Sequence, residues 1–218
     1  MPILSDSDKK YIREKFEKEL VREVPIVFLK SENCEFCPPT EEFLKELAEL
    51  SENKLKLTIQ EMTNFHAQIL GVNRGPVIVM GNHGEIRYTG APIGEESWGF
   101  LEAILLLSNR KHGLEKYEEH LQSLDKKVKI ETIVTPTCPW CPHAAVLAHK
   151  IAVASNGKVI SDVIEAYEFP EIADKFGVTG VPTVVLSVGG NYTGKVFWVG
   201  VPELHALIRA VIKLGIEE

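Results

Sequence analysis

The residues of this chain best suited to covalent chemistry are four cysteines, arranged as two Cys-x-x-Cys pairs, Cys34/Cys37 and Cys138/Cys141. Two thiols three positions apart in a helical turn share one face and lie within disulfide reach. Such a pair can exchange with another disulfide: one thiolate attacks, and the second sulfur closes on the first to release the partner. The rival chemistry is metal binding, above all zinc. Zinc knuckles place their pairs about 15 to 20 residues apart, whereas these stand 104 apart, and no cysteine remains for a distant staple.

The flanking segments must position these sulfurs. Between Val128 and Val153, β-branched residues run up to Cys138 and an apolar-periodic segment follows Cys141. This predicts a strand, a turn and a helix whose first turn begins at Cys138. A helix N-terminus carries unpaired N–H groups and about half a positive charge, which favours thiolate over thiol. Cys138 is therefore set up as a nucleophile and Cys141 as the resolving thiol. In the first half, Pro25 to Leu29 reads as a buried strand ahead of Cys34-Glu-Phe-Cys37. A helix over Thr40 to Leu50 follows, with Phe43, Leu44, Leu47 and Leu50 on one face. Pro38 and Pro39 fit because first-turn N–H groups have no helical partner.

The rest of the chain reads as one unit written twice, in the order α, β, α, β, α, β, β, α. The first copy has a helix over Ser5 to Leu20, a strand at Lys54 to Met62, a short helix at Asn64 to Leu70, strands at Val77 to Met80 and Glu85 to Thr89, and a helix from Glu95 to Ser108. The second has an amphipathic helix at Leu114 to Leu124, strands at Lys129 to Val134 and Lys158 to Ala166, and a short helix at Pro170 to Phe176. A hairpin of Thr183 to Val188 and Lys195 to Val199 over the turn Gly189 to Gly194 precedes a last helix, Glu203 to Leu214. Gly71-Val72 and Pro76 recur 106 residues on, as Gly177-Val178 and Pro182. A slowly drifting offset marks two copies of a supersecondary unit. The expected division is 1–113 and 114–218.

About 40 residues after each cysteine pair, a proline opens a strand, in Gly75-Pro76 and Val181-Pro182. Cys-x-x-Cys at a strand-to-helix turn followed by such a proline resembles the thioredoxin fold. Two such units in one chain resemble the protein disulfide oxidoreductases of hyperthermophiles, described as glutaredoxin-like. The resemblance implies an α/β fold of two tandem thioredoxin-like units, each a central mixed β-sheet flanked by helices. It implies that Pro76 and Pro182 are cis and lie against the cysteines, and that the backbone of Gly75 and Val181 pairs with an extended substrate. Phe36 and Trp140, inside the motifs, are the further substrate-binding candidates. No cofactor or metal is called for. The implied partners are protein disulfides or dithiols and a thioredoxin-reductase-like flavoprotein.

Thioredoxins carry a buried acid six residues before the first cysteine, and here those positions hold Phe28 and Thr132. Glu131 becomes the candidate proton acceptor if its side chain points inward, although alone it reads as a solvated strand residue. The intervening dipeptides also differ. Glu35 beside Cys34 opposes a thiolate, whereas Pro139-Trp140 leaves the helix end uncompensated, so Cys138 should have the lower pKa and the second site should be the more oxidising. His143 reads as an exposed helix residue, Trp98 and Trp198 as packing residues, and Ile104 to Leu107 as a segment buried between the units.

Composition narrows the classes. A net charge of −7 argues against a nucleic-acid surface. No apolar run exceeds five residues, too few to span a bilayer, and the first residues lack a signal-peptide pattern. The expected location is the cytoplasm. With 26 Glu to 5 Asp, 18 Lys to 6 Arg and 3 Gln, the skew runs in the hyperthermophile direction. Two other readings stay open: an electron relay from a flavoprotein to a peroxiredoxin, and a zinc-binding or client-holding module.

Overall fold

The computed structural model describes residues 3–72, 74–189 and 194–216. The first half comprises α1 (Asp6–Glu19), β1 (Val24–Lys30), α2 (Cys37–Leu50), β2 (Leu55–Glu61), α3 (Asn64–Leu70), β3 (Val77–Met80), β4 (Ile86–Thr89) and α4 (Glu96–Asn109). Helix α1 starts where a capping box forms, Ser5 and Asp8 satisfying each other's backbone N–H. Its Ile12 and Phe16 are buried.

The second half comprises α5 (Glu118–Gln122), β5 (Val128–Val134), α6 (Cys141–Ala154), β6 (Val159–Glu165), α7 (Pro170–Lys175), β7 (Thr183–Val188), β8 (Lys195–Val199) and α8 (Leu204–Ile216). The expected helix over Leu114 to Leu124 is shorter: a 3-10 turn at Glu115–Tyr117 leads into the five residues of α5. No side chain caps either piece, and the buried leucines 114, 121 and 124 are spaced too sparsely to bury a continuous stripe. Most of the turn expected over Gly189 to Gly194, residues 190–193, lies outside the described residues.

Each half has the same pairing. β1 runs parallel to β2 and antiparallel to β3, which pairs with β4. β5 runs parallel to β6 and antiparallel to β7, which pairs with β8. The two sheets are not separate. β4 pairs in parallel with β6, from Ile86↔Ser161 to Thr89↔Ile164, giving the order β2-β1-β3-β4-β6-β5-β7-β8. One edge of each half thereby loses its unpaired backbone groups. Burial follows: β4, β5 and β6 are buried throughout, whereas the outer strands β2 and β8 alternate or are exposed.

Helix α4 packs across α6, and its Ala103 to Leu106 are buried in the apolar cluster, with Leu107 partly covered. The resulting cluster contains Ile12, Phe43, Tyr88 and Phe100 from the first half together with Cys138, Cys141, Val134 and Val163 from the second. The halves thus share a core around the second cysteine pair. On the opposite face of the sheet, Lys129 Nζ binds Glu131 at 3.0 Å and Asp162 at 2.7 Å, and Thr89 donates to Asp162 at 2.8 Å.

Candidate functional site

Both cysteine pairs are closed disulfides, Cys34–Cys37 with Cα atoms 5.3 Å apart and Cys138–Cys141 with Cα atoms 5.4 Å apart. Each follows a central strand, β1 or β5. The helix begins at the second cysteine of each pair, at Cys37 rather than the expected Thr40 in the first half and at Cys141 rather than the expected Cys138 in the second. Ahead of α6 the chain makes a turn, Cys138 N–H donating to Thr135 O at 3.1 Å and Cys141 N–H to Cys138 O at 3.3 Å. Cys138 therefore sits just outside the helix with its sulfur tied to the first residue of α6. Phe36 and Trp140 occupy the cap positions without a side-chain cap bond, and neither helix carries an acid in its first turn. The positive helix ends are left uncompensated next to the disulfides, the electrostatics that favours a thiolate.

Exposure separates the sulfurs. Cys34 is half-buried and Cys37 buried. Cys138 is 8% exposed and Cys141 fully enclosed. In each pair the first cysteine is the one an incoming sulfur can reach.

Gly75–Pro76 and Val181–Pro182 are cis peptides. The carbonyls of Pro76 and Pro182 accept from Gly90 N–H at 3.0 Å and Gly200 N–H at 2.7 Å, so each proline belongs to its own sheet. Gly75 and Val181 are half-buried. Val181 and Cys34 both pack on the apolar cluster that contains Cys37, Cys138 and Cys141.

The two disulfides differ in surroundings. Cys34 and Cys37 border a cavity of about 330 Å³ whose walls include Lys30, Glu41, Lys45 and Glu61. Lys30 binds Glu61 at 3.0 Å and Glu41 at 3.3 Å, and Lys45 binds Glu41 at 2.6 Å. Beside the second pair, Trp98, Trp140, His143, Leu147 and Val201 line an open groove of about 560 Å³. Trp140 is 66% exposed, and the exposed ring of His143 lies 5.8 Å from it and 5.2 Å from Trp98. Trp98, read from the sequence as a packing residue, is 41% exposed instead. Its ring lines the groove that α4 and α6 share. Trp198 packs partly buried on the second-half core, as expected.

Glu131 is not a solvated strand residue. It is 3% exposed and bonded to Lys129. Strand alternation places Val128, Ile130 and Val134 on the face covered by α6, and Glu131 with Ile133 on the face covered by α7. The inward position toward α6 is taken by Thr132. The parity of a β-strand thus turns the sequence's candidate proton acceptor away from Cys141.

A different acid was missed. Glu96, in the first turn of α4, is 1% exposed, and burial, then the neighbouring Glu165, push its pKa up to about 8. In sequence it reads as an ordinary helix-start acid, and only the packing of α4 on the other half reveals it. Among the described residues no group of three or more His, Cys, Asp or Glu is placed to hold a metal.

The comparisons agree with this geometry. The thioredoxin domain family model matches residues 126–213. The thioredoxin of Methanocaldococcus jannaschii is 34% identical over 87 residues, 40% of this chain and 95% of that protein. A probable thioredoxin of Archaeoglobus fulgidus is 34% identical over 85 residues, 38% of this chain and 87% of that protein. Among solved structures, a protein disulfide oxidoreductase from Aeropyrum pernix superposes with a TM-score of 0.86 at 32% identity, over 99% of this chain and 95% of that one. An alkylhydroperoxide reductase component from Enterococcus faecalis gives a TM-score of 0.82 at 22% identity, over 95% of this chain and 99% of that one, a likeness of fold.

Proposed function

This chain belongs to the protein disulfide oxidoreductase family, tandem thioredoxin-fold enzymes of dithiol–disulfide exchange, and we propose that it works through two unequal sites led by Cys138. Residues 1–113 and 114–218 are the two units. The Cys138 thiolate attacks a protein disulfide, the client's sulfur leaves, and Cys141 closes on Cys138 to release the reduced client. Run backwards, the same steps oxidise a client dithiol. Cys34 and Cys37 do likewise at the first site.

The observation that carries this reading is the contrast between the sites. An enclosed disulfide beside an open aromatic groove suits apolar segments of unfolded clients, while the ion-paired cavity at Cys34 suits a folded, charged partner. The backbone of Gly75 and Val181 pairs with the bound chain, with Phe36 and Trp140 beside it. The charged partner we assign is a thioredoxin-reductase-like flavoprotein that returns electrons, and relay to a peroxiredoxin is the narrower alternative. Among the described residues no helix is long and apolar enough to cross a membrane, and the cytoplasm is the compartment we propose.

Insulin reduction and refolding of scrambled ribonuclease test this reading in wild type and in variants with Cys34/Cys37 or Cys138/Cys141 changed to Ser. The C-terminal variant should lose most activity and the N-terminal one less. Equal losses would remove the ranking, and a wild type inactive in both assays would move zinc binding or client holding to the front.

A further inference from the structure

Neither carboxylate oxygen of the buried Glu96 has a hydrogen-bond partner among the described residues. Buried polar groups are nearly always bonded, so an unbonded buried acid calls for an explanation. Its place is fixed by its neighbours on α4. One residue earlier, Glu95 N–H donates to Pro136 O at 2.9 Å. Three residues later, a Cβ on Gly99 would stand 3.2 Å from Pro142 Cβ. Pro136 and Pro142 flank the pair Cys138–Cys141, so the first turn of α4 packs against the segments on either side of that disulfide. Glu96, Gly99, Phe100 and Ala103 form one helical face, all of them buried. Phe100 on this face shares an apolar cluster with Cys138 and Cys141.

We infer that Glu96, contributed by the first half, is the proton acceptor for Cys141 when that thiol resolves a mixed disulfide at Cys138. This rests on the reading of Cys138/Cys141 as the exchange pair. In the resolving step the Cys141 S–H proton passes to the Glu96 carboxylate, and the Cys141 thiolate attacks Cys138 Sγ. The Cys138–Cys141 bond forms as the bond from Cys138 to the client sulfur breaks. The client leaves as thiolate, so two electrons have moved from the dithiol to the client. In the oxidising direction protonated Glu96 returns its proton to the departing Cys141 thiolate.

A fully enclosed thiol cannot give its proton to bulk water directly, and a relay works best with a pKa near the working pH. The groups facing Glu96 set that value. Glu165 at the end of β6 adds to the effect of burial. Tyr88 from β4 is held protonated, its phenol raised first by burial and then by Glu96. His149 from α6, bonded to Tyr88 at 3.0 Å, is kept neutral by burial. At the first disulfide the inward strand position is held by Phe28, which is buried in the apolar cluster with Cys37.

The test is single-turnover reduction of a disulfide peptide by protein whose Cys34 and Cys37 are Ser, followed against pH. Release of the peptide from Cys138 should inflect near pH 8, the value for Glu96, and in Glu96→Gln the inflection should vanish with release slowed at least about 10-fold. Attack alone, read in Cys141→Ser with and without Glu96→Gln, should slow far less. An unchanged rate and pH profile in Glu96→Gln, or equal slowing of attack and release, would overturn the inference. Absence of attack in Cys141→Ser would overturn the exchange reading and this inference with it. Should Glu96→Gln not fold, infrared titration of the unaltered protein decides. Reducing Cys138–Cys141 must move the titration of a buried carboxyl, and no movement refutes the role.

Discussion

The hydroxyl of Tyr88 on β4 lies 3.0 Å from Nε2 of His149 on α6, a hydrogen bond that joins the two halves inside their common core. The other ring nitrogen, Nδ1, is 2.9 Å from Ser161 Oγ on β6. With both nitrogens used and no exposure, burial lowers the His149 pKa to about 3. The folded value lies below the ordinary one near 6.5, so the unfolded chain binds the extra proton first. Stability is then full above about pH 6.5 and falls as the pH drops toward 3, by an amount on the order of a few kcal/mol. Denaturant titrations between pH 7 and pH 4 should show this slope, and His149→Gln should lose most of it. Tyr88→Phe removes one partner and should cost about 1–3 kcal/mol at neutral pH.

Glu96 predicts the opposite slope at the alkaline end. Its folded pKa of about 8 lies above the ordinary 4.5, so the folded protein holds a proton that the unfolded chain has released. That contribution is complete below about pH 4.5 and is lost as the pH rises through 8. Denaturant midpoints of Glu96→Gln and wild type, compared at pH 5 and pH 9, should shift in favour of the variant at the higher pH. Parallel profiles would refute the raised value.

The shared core predicts cooperative unfolding of the whole chain. Ile104 of α4 is fully buried in the apolar cluster that both halves share, and Ile104→Ala should cost about 2–5 kcal/mol. Because β4 pairs with β6, probes in either half should report one transition, before and after the substitution. Two separated transitions in wild type would show that the β4–β6 junction does not couple the halves.

Thiol acidity follows from the two helix ends. Glu35 stands exposed beside Cys34, while Pro139 and Trp140 bring no charge to Cys138, and Glu96 stays protonated below about pH 8. Alkylation rates against pH in single-cysteine variants should place the Cys138 pKa below that of Cys34, within the roughly 3.5 to 7.5 range of activated cysteines. A more acidic Cys34 would reverse the ranking of the sites.

The cysteine pairs, their strand-to-helix setting, the recurring prolines and the duplication were legible because each is a local pattern that recurs 104 to 106 residues on. What the sequence hides is the pairing of β4 with β6. Both strands are short and mix apolar with polar residues, Arg87 in β4 and Asp162 in β6, and nothing local says which edge finds which. From that junction follow the α4–α6 contact, the burial of Glu96 and the exposure of Trp98. Glu131 misled because one step along a strand changes the face: alternation within β5 places it with Lys129 and away from α6. The start of α6 moved to Cys141 because Cys138 closes a turn on Thr135 first, which the Cys-Pro-Trp-Cys spacing alone does not reveal.

Trapping the mixed disulfide tests the central claim most directly. Cys141→Ser and Cys37→Ser variants, each reduced and mixed with a disulfide-containing unfolded client, leave an adduct that cannot resolve at the altered site, and peptide mapping locates it. The account predicts a stable adduct on Cys138 in the first variant, forming faster than the adduct on Cys34 in the second. Faster capture through Cys34, or no capture at Cys138, would contradict it.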